Sequence, residues 1–169
     1  MHPVDSERKL EVMPDIVHVF KSAVQGWINN EILYLPSGVV AANGLCTAEV
    51  NIHHLADPVN FEKHNLLKVA SKLKPEDIHF KRITKFDAMK VINSQKFVNS
   101  NVSAALRFYS QSVHRPEVLS TAYFIECLYK WFKLCSNRTI AMSLSKCKYI
   151  LKYHVLIDLH TYSDQISPL

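Results

Sequence analysis

Asp15 and His18 stand three residues apart in a segment patterned as a helix, and Lys21 follows on the same flank. An acid and an imidazole at that spacing can ligate a divalent cation or pair with each other. The other reading is that Asp15 caps the helix and His18 sits at its edge. A second histidine-rich patch holds His53, His54, Asp57 and His64. Neighbouring helical residues point about 100° apart, so His53 and His54 do not readily serve one metal. A His54/Asp57 pair lacks two further ligands at sensible spacing. His154 and Asp158, four apart, read as an intrahelical pair. The cysteines Cys46, Cys127, Cys135 and Cys147 form no CxxC pair, so reduced and mostly buried thiols are expected rather than zinc ligands.

With only 3 glycines and no GxxxxGK[ST], GxGxxG or GxSxG, the chain lacks the local signatures of P-loop, dinucleotide and hydrolase sites. What it has in quantity is positive charge. The segment from Lys68 to Lys90 carries Lys72, Lys74, Lys81, Arg82 and Lys85 as well, with Phe80 and Phe86 interleaved. Ammonium groups beside aromatic faces suit phosphates and bases, and a solvated basic face is the alternative. Lys74, Lys81, Arg82 and Lys85 are the candidate DNA contacts. Lys130, Lys133, Arg138, Lys146, Lys148 and Lys152 make a second basic population. Two basic faces on one module, at a formal net charge of +5, make nucleic acid the favoured polyanion.

The elements that position these groups read as helices. At 169 residues and 48% hydrophobic, the chain has enough apolar content for a core, so wholesale disorder is not expected. No apolar run reaches the ~20 residues needed to span a bilayer, and no secretory leader is evident, so a soluble intracellular chain without a membrane partner is expected. Asp15 to about Asn29 forms the first helix on Val19, Ala23 and Trp27, with Ile16 and Phe20 beside them. A short helix over Val39–Asn43 and a kinked one from Val50 through Pro58 follow. A long helix is predicted from about Lys85 to Ser112, with Phe86, Met89, Phe97, Ala104 and Phe108 on one face, ending at Pro116. The next runs from about Glu117 to Cys135 on a stripe of Phe124, Leu128, Trp131 and Cys135, and a last covers Leu144–Leu159. The fold class expected is all-α.

Four blocks in order resemble transposases of the P-element type and their THAP-finger relatives. DIVHVFKSAVQGWI resembles the family's D-P-V-H-hydrophobic-hydrophobic-K-x-x-R-N-N-W-L segment, matching at Asp15, Val17, His18, Lys21 and Trp27. VNIHHLADPVNFEKHNLLKVASKL is similar to the stretch leading to A-P-K-L-T. DAMKVINSQKFVNSNVSAAL is similar, without a gap, to E-K-M-K-V-x-x-A-x-x-x-F-S-x-S-V-A-A-A-L. STAYFIECLYKWFKLCSNR resembles G-T-A-x-F-I-E-x-x-x-x-x-F-D-x-x-N-S.

The resemblance implies a helical GTP-binding insertion domain over residues 36–160, a remnant helix of an RNase H-like α/β domain within 1–35, and a tail at 161–169. It implies that Asp15 is the second carboxylate of a Mg²⁺-dependent D/D/E site. Lys72, Lys90, Val91, Asn99, Phe132 and Lys133 fall at its nucleotide-binding positions. Lys133 stands where the family has an aspartate that reads guanine, and a lysine has donors but no acceptor. Two-metal chemistry needs several carboxylates, so Asp15 alone does not organise the reaction. The expectation is a module that is not catalytic by itself, that binds DNA and guanine nucleotide, and that resides in the nucleus, a location implied by the resemblance alone. It would pack against a missing RNase H-like domain or a second copy of itself. The competing expectation is an all-α protein-interaction module, without nucleotide or DNA, using a Phe124/Trp131/Phe132 surface.

Overall fold

A computed structural model of the chain describes residues 15–64, 68–71, 73–78 and 90–136. The expected helix over Leu144–Leu159, with the His154/Asp158 pair, and Phe86, Met89, Lys72, Lys81, Arg82 and Lys85 lie outside them. The described residues are mostly helical.

Helix α1, Ile16–Asn30, starts where Asp15 turns its carboxylate onto the first exposed amides: Val17 N donates to Oδ1 at 2.9 Å and His18 N at 3.3 Å. Its buried residues are Phe20, Val24 and Trp27, a seam slightly rotated from the Val19/Ala23/Trp27 line expected from periodicity. Glu31 closes the helix at φ 61°, its N–H donating to Trp27 O at 2.9 Å. The chain then enters β1, Ile32–Tyr34, passes through α2, Ser37–Ala42, and returns as β2, Glu49–Asn51. The two strands are antiparallel, with Ile32 opposite Asn51, Leu33 opposite Val50 and Tyr34 opposite Glu49. The described part is thus mainly helical, as expected, with two short strands added that at three residues each are too short to show a period-2 pattern.

Instead of one kinked helix after Val50, there is a 3-10 turn at Ile52–Leu55, helix α3 at Ala56–Phe61 and another 3-10 turn at Glu62–His64. Pro58 falls in the first turn of α3, where a missing N–H costs nothing. A further 3-10 turn covers Pro75–Ile78.

The long helix expected over Lys85–Ser112 is broken in its described part. Helix α4 spans Val91–Phe97, helix α5 spans Ser100–Val113, and Asn99 sits between them in an extended conformation. Asn99 Oδ1 accepts from Asn101 N and Val102 N, both at 3.0 Å, while its Nδ2 donates back to Gln95 O at 2.9 Å and Lys96 O at 3.0 Å. One side chain thus starts α5 and holds the end of α4. The break also rotates the packed face. Val102, Ser103, Ala105, Leu106, Tyr109 and Ser110 are buried, whereas Ala104 and Phe108 are exposed.

His114 ends α5 in the left-handed region at φ 55°, and helix α6 runs from Val118 to Ser136. On α6 the buried line is Thr121, Phe124, Ile125, Leu128 and Phe132; Trp131 and Cys135, expected on it, are half-buried. Phe20 stacks on Phe132 with ring centroids 4.1 Å apart, and Trp27 meets Phe124 edge-on at 5.2 Å. The Phe124/Trp131/Phe132 surface expected to face a partner is therefore largely interior, because α1 covers it. A single cluster of buried side chains extends from Phe20 to Phe132, so α1 shares its core with the rest of the described chain. No described helix is long and apolar enough to cross a membrane.

Replacing Asn99 with Ala removes an N-cap and the bonds to α4 together, and is expected to lower unfolding free energy by about 1–2 kcal/mol. Asn99→Asp, which keeps the accepting oxygen, should recover part of that loss. Urea unfolding of the three chains measures both effects.

Candidate functional site

Asp15 carries its carboxylate at the exposed start of α1, committed at Oδ1 to the two amides of the first turn, and His18 is exposed one turn on. Among the described residues no group of three or more His, Cys, Asp or Glu is placed to hold a metal ion. The described residues thus give Asp15 a capping role, and they supply no second carboxylate beside it for Mg²⁺.

The described nucleotide positions are scattered over three helices. Lys90 precedes α4 and is exposed, and Val91 packs against the core as the first residue of that helix. Asn99 is 7% exposed and has its amide fully engaged in capping. Phe132 is 5% exposed and stacked on Phe20, so its ring has no free face for a base. Lys133, the next residue, points out, its Nζ lying 6.0 Å from the centre of the Tyr129 ring. Helix α1 packs on both α4 and α6. None of these described residues lines the pocket of about 80 Å³ beside α3; Phe132 packs in the core, Asn99 caps a helix, and Lys133 offers only donors.

The histidine patch resolves into ordinary bonding. His54 Nδ1 lies 2.9 Å from Thr121 Oγ1, which itself accepts from Asn51 N at 3.1 Å. The Thr121 hydroxyl also lies 3.5 Å from Asn51 O, so its proton has two acceptors, that carbonyl or Nδ1, and in the first case Nδ1–H donates to the hydroxyl. Burial lowers the His54 pKa below its ordinary value of 6.5; the Asp57 carboxylate opposes that shift, Arg115 adds to it, and Glu49 and Glu117 oppose it more weakly. Asp57 pairs with Arg115 at 3.1 Å rather than with His54, and Arg115 also donates to Glu117 at 2.7 Å. His53 faces Glu31 at 3.3 Å.

The remaining charges separate into two sets. Lys96 pairs with Asp77 at 2.9 Å, Arg107 with Glu126 at 2.6 Å, and Lys130 with the same Glu126. The hydrogen bond from Lys130, followed by that from Arg107, holds the Glu126 carboxyl below the usual range. Lys63, Lys68 and Lys74, by contrast, are exposed and make no ion pair among the described residues. They gather along the chain just after α3, and Lys68 and Lys74 fall in the basic segment that the sequence singles out. Of the described cysteines, Cys46 is exposed and Cys127 and Cys135 are half-buried, while Cys147 lies outside the described residues; burial still raises the Cys127 and Cys135 thiols, which makes them weak nucleophiles.

Two features carried no sequence signal. One is the Thr121–Asn51–His54 junction, whose members are 67 and 70 positions apart in the pairs concerned. The other is Glu62, a charged residue type at 2% exposure, with Val59, Ala70, Leu73, Lys63 and Lys68 around a pocket of about 80 Å³. No family model matches this chain, and no curated protein or solved structure matches it either.

Because burial lowers the His54 pKa in the fold, the unfolded chain binds its proton first as pH falls below 6.5. The stabilisation from His54 is present above that pH and declines as pH drops through the lowered folded-state value. Glu117 and Glu126, whose pKa values lie below 4.5, add their losses only at more acidic pH. Urea midpoints measured between pH 6.5 and 4.5 should therefore fall in the unmodified chain and flatten in His54→Gln.

Proposed function

We propose that this chain is a transposase-derived helical module, akin to the insertion domain of P-element-type transposases with one helix of an RNase H-like domain attached, that binds DNA and is not catalytic by itself. The observation that carries the reading is the group of exposed lysines, Lys63, Lys68 and Lys74, left without ion pairs among the described residues while Arg107, Arg115 and Lys96 are paired. An unpaired ammonium releases phosphate counterions at full effect, whereas a paired one must first give up its carboxylate. The four ordered blocks support the family. Asp15 caps α1 through Oδ1, so a part in metal-dependent chemistry is not assigned to it in this reading. Residence in the nucleus belongs to the same reading.

The guanine positions do not suit the nucleotide: Phe132 is in the core, Asn99 is consumed in capping and Lys133 lacks an acceptor. The proposal therefore assigns no step to GTP. Calorimetry with GTP and Mg²⁺ should show no binding by the unmodified chain; GTP-selective binding appearing in Lys133→Asp would place a surviving nucleotide pocket beside α6.

A protein-interaction module is the second reading, favoured by Phe61 and Phe108, which are 40% and 48% exposed and meet edge-on at 6.3 Å. Large apolar rings side by side in solvent suit a protein surface better than a phosphate backbone. Duplex-DNA titration at low salt decides between the two. The first reading expects binding whose log–log salt slope shrinks by about 0.9 for each phosphate contact removed, so Lys68→Ala/Lys74→Ala should reduce it by about 2. Absence of binding at low salt, or an unchanged slope in the double variant, removes the DNA reading and leaves the Phe61/Phe108 face.

A further inference from the structure

Helix α5 has one charged residue, Arg107, and its guanidinium is taken by Glu126 of α6 at 2.6 Å. Every exposed residue of the helix is uncharged, in a chain of which 21% is charged. Asn101, Ala104, Phe108 and Gln111 are all exposed, and they follow one another at intervals of three, four and three. That spacing keeps successive side chains on one seam of a helix. Phe108 is 48% exposed, and Phe61 of α3, 40% exposed, meets it edge-on at 6.3 Å and widens the apolar strip. Exposed rings with no charge around them match the centre of a protein interface better than a free surface.

We propose that α5 is the contact through which two copies of this chain pair, the two helices lying antiparallel across a two-fold axis level with Leu106. Turned end for end about that residue, the seam complements itself. Phe108 falls opposite Ala104 of the second copy, a ring against a methyl group, and Gln111 falls opposite its Asn101. The two amides each bring a donor and an acceptor, so they can bond to one another. A two-fold contact repeats both matches. Phosphate finds no free cation on the seam, and an acidic or basic peptide finds no opposite charge. A second copy brings an equally uncharged seam, so two chains of net charge +5 meet where neither presents charge. The helix has 14 residues and is ~21 Å long, which puts the contact at the small end of protein interfaces. Association in the micromolar range follows, rather than a permanent dimer. The assignment does not rest on DNA binding, because Lys63, Lys68 and Lys74 lie outside α5.

Sedimentation equilibrium of the full chain, from ~1 to ~200 µM at low salt, tests the pairing and its alignment. The mean mass is expected to climb from one chain towards two. Phe108→Glu, at an exposed position, should weaken association by about tenfold or more. Two double variants then read the register. Asn101→Glu/Gln111→Lys sets opposite charges face to face twice and suits the helix dipole, so the chain should still pair. Asn101→Glu/Gln111→Glu sets like charges face to face and should pair about tenfold more weakly than the first, although it carries less net positive charge. A single-chain mass throughout the range overturns the proposal. So does unchanged association in Phe108→Glu, or equal association of the two double variants, which would assign self-association to another surface.

Discussion

The described structure depends on the seam between α1 and α6. Two aromatic pairs fasten it, Phe20 on Phe132 and Trp27 on Phe124, each pair joining an earlier residue of one helix to a later residue of the other. The helices therefore run in opposite directions over about two turns, the distance that seven or eight residues cover at 1.5 Å each. Trp27 extends the seam to a third element, because its indole N–H donates to Val50 O at 3.3 Å in β2. A phenylalanine there would fill similar space and leave that strand carbonyl without its donor. Helix, strand and helix meet at one side chain.

Around this seam, short polar side chains do the work of connection. Ser103 donates to Ala122 O at 2.9 Å, Ser110 to Arg115 O at 2.9 Å and Ser120 to Thr47 O, and all three serines are buried. Each hydroxyl adds a side-chain donor to a backbone carbonyl elsewhere in the chain, and each is small enough to let two backbones approach. The interior is thus held in register by directional bonds as well as by apolar area, whose attraction is non-directional. Glu62 is the exception, a buried polar group with only half of its carboxyl satisfied.

Much of this was readable before folding, and the misreadings have physical causes. The start of α1 at Asp15 and the extents of α1 and α6 follow from capping chemistry and from 3.6-residue periodicity, and both are found. The aromatic and apolar spacing of Phe97, Ala104 and Phe108 suggested one continuous helix, but Asn99 satisfies more backbone groups by breaking it than by continuing it. Phe108 then turns outward against Phe61. Periodicity likewise read Trp131 and Cys135 as core and passed over Phe132, because two neighbouring stripes on an apolar helix differ by one residue and only the position of α1 chooses between them. The candidate site was less legible still. The lysines of the basic segment are visible as charge, but which of them lack a partner depends on where Asp77 and Glu126 fall in space.

Two strands of three residues each, joined through a helix rather than a tight turn, have no local means of fixing their alignment or of surviving alone. Their alignment comes from outside: Thr121 on α6 holds the Asn51 amide across 70 residues of sequence. The alignment of the small sheet therefore depends on a distant helix, and its formation carries the closure entropy of that long loop. The same contact occupies an outward-facing amide of β2, so this edge of the strand offers one less group as a template for another chain.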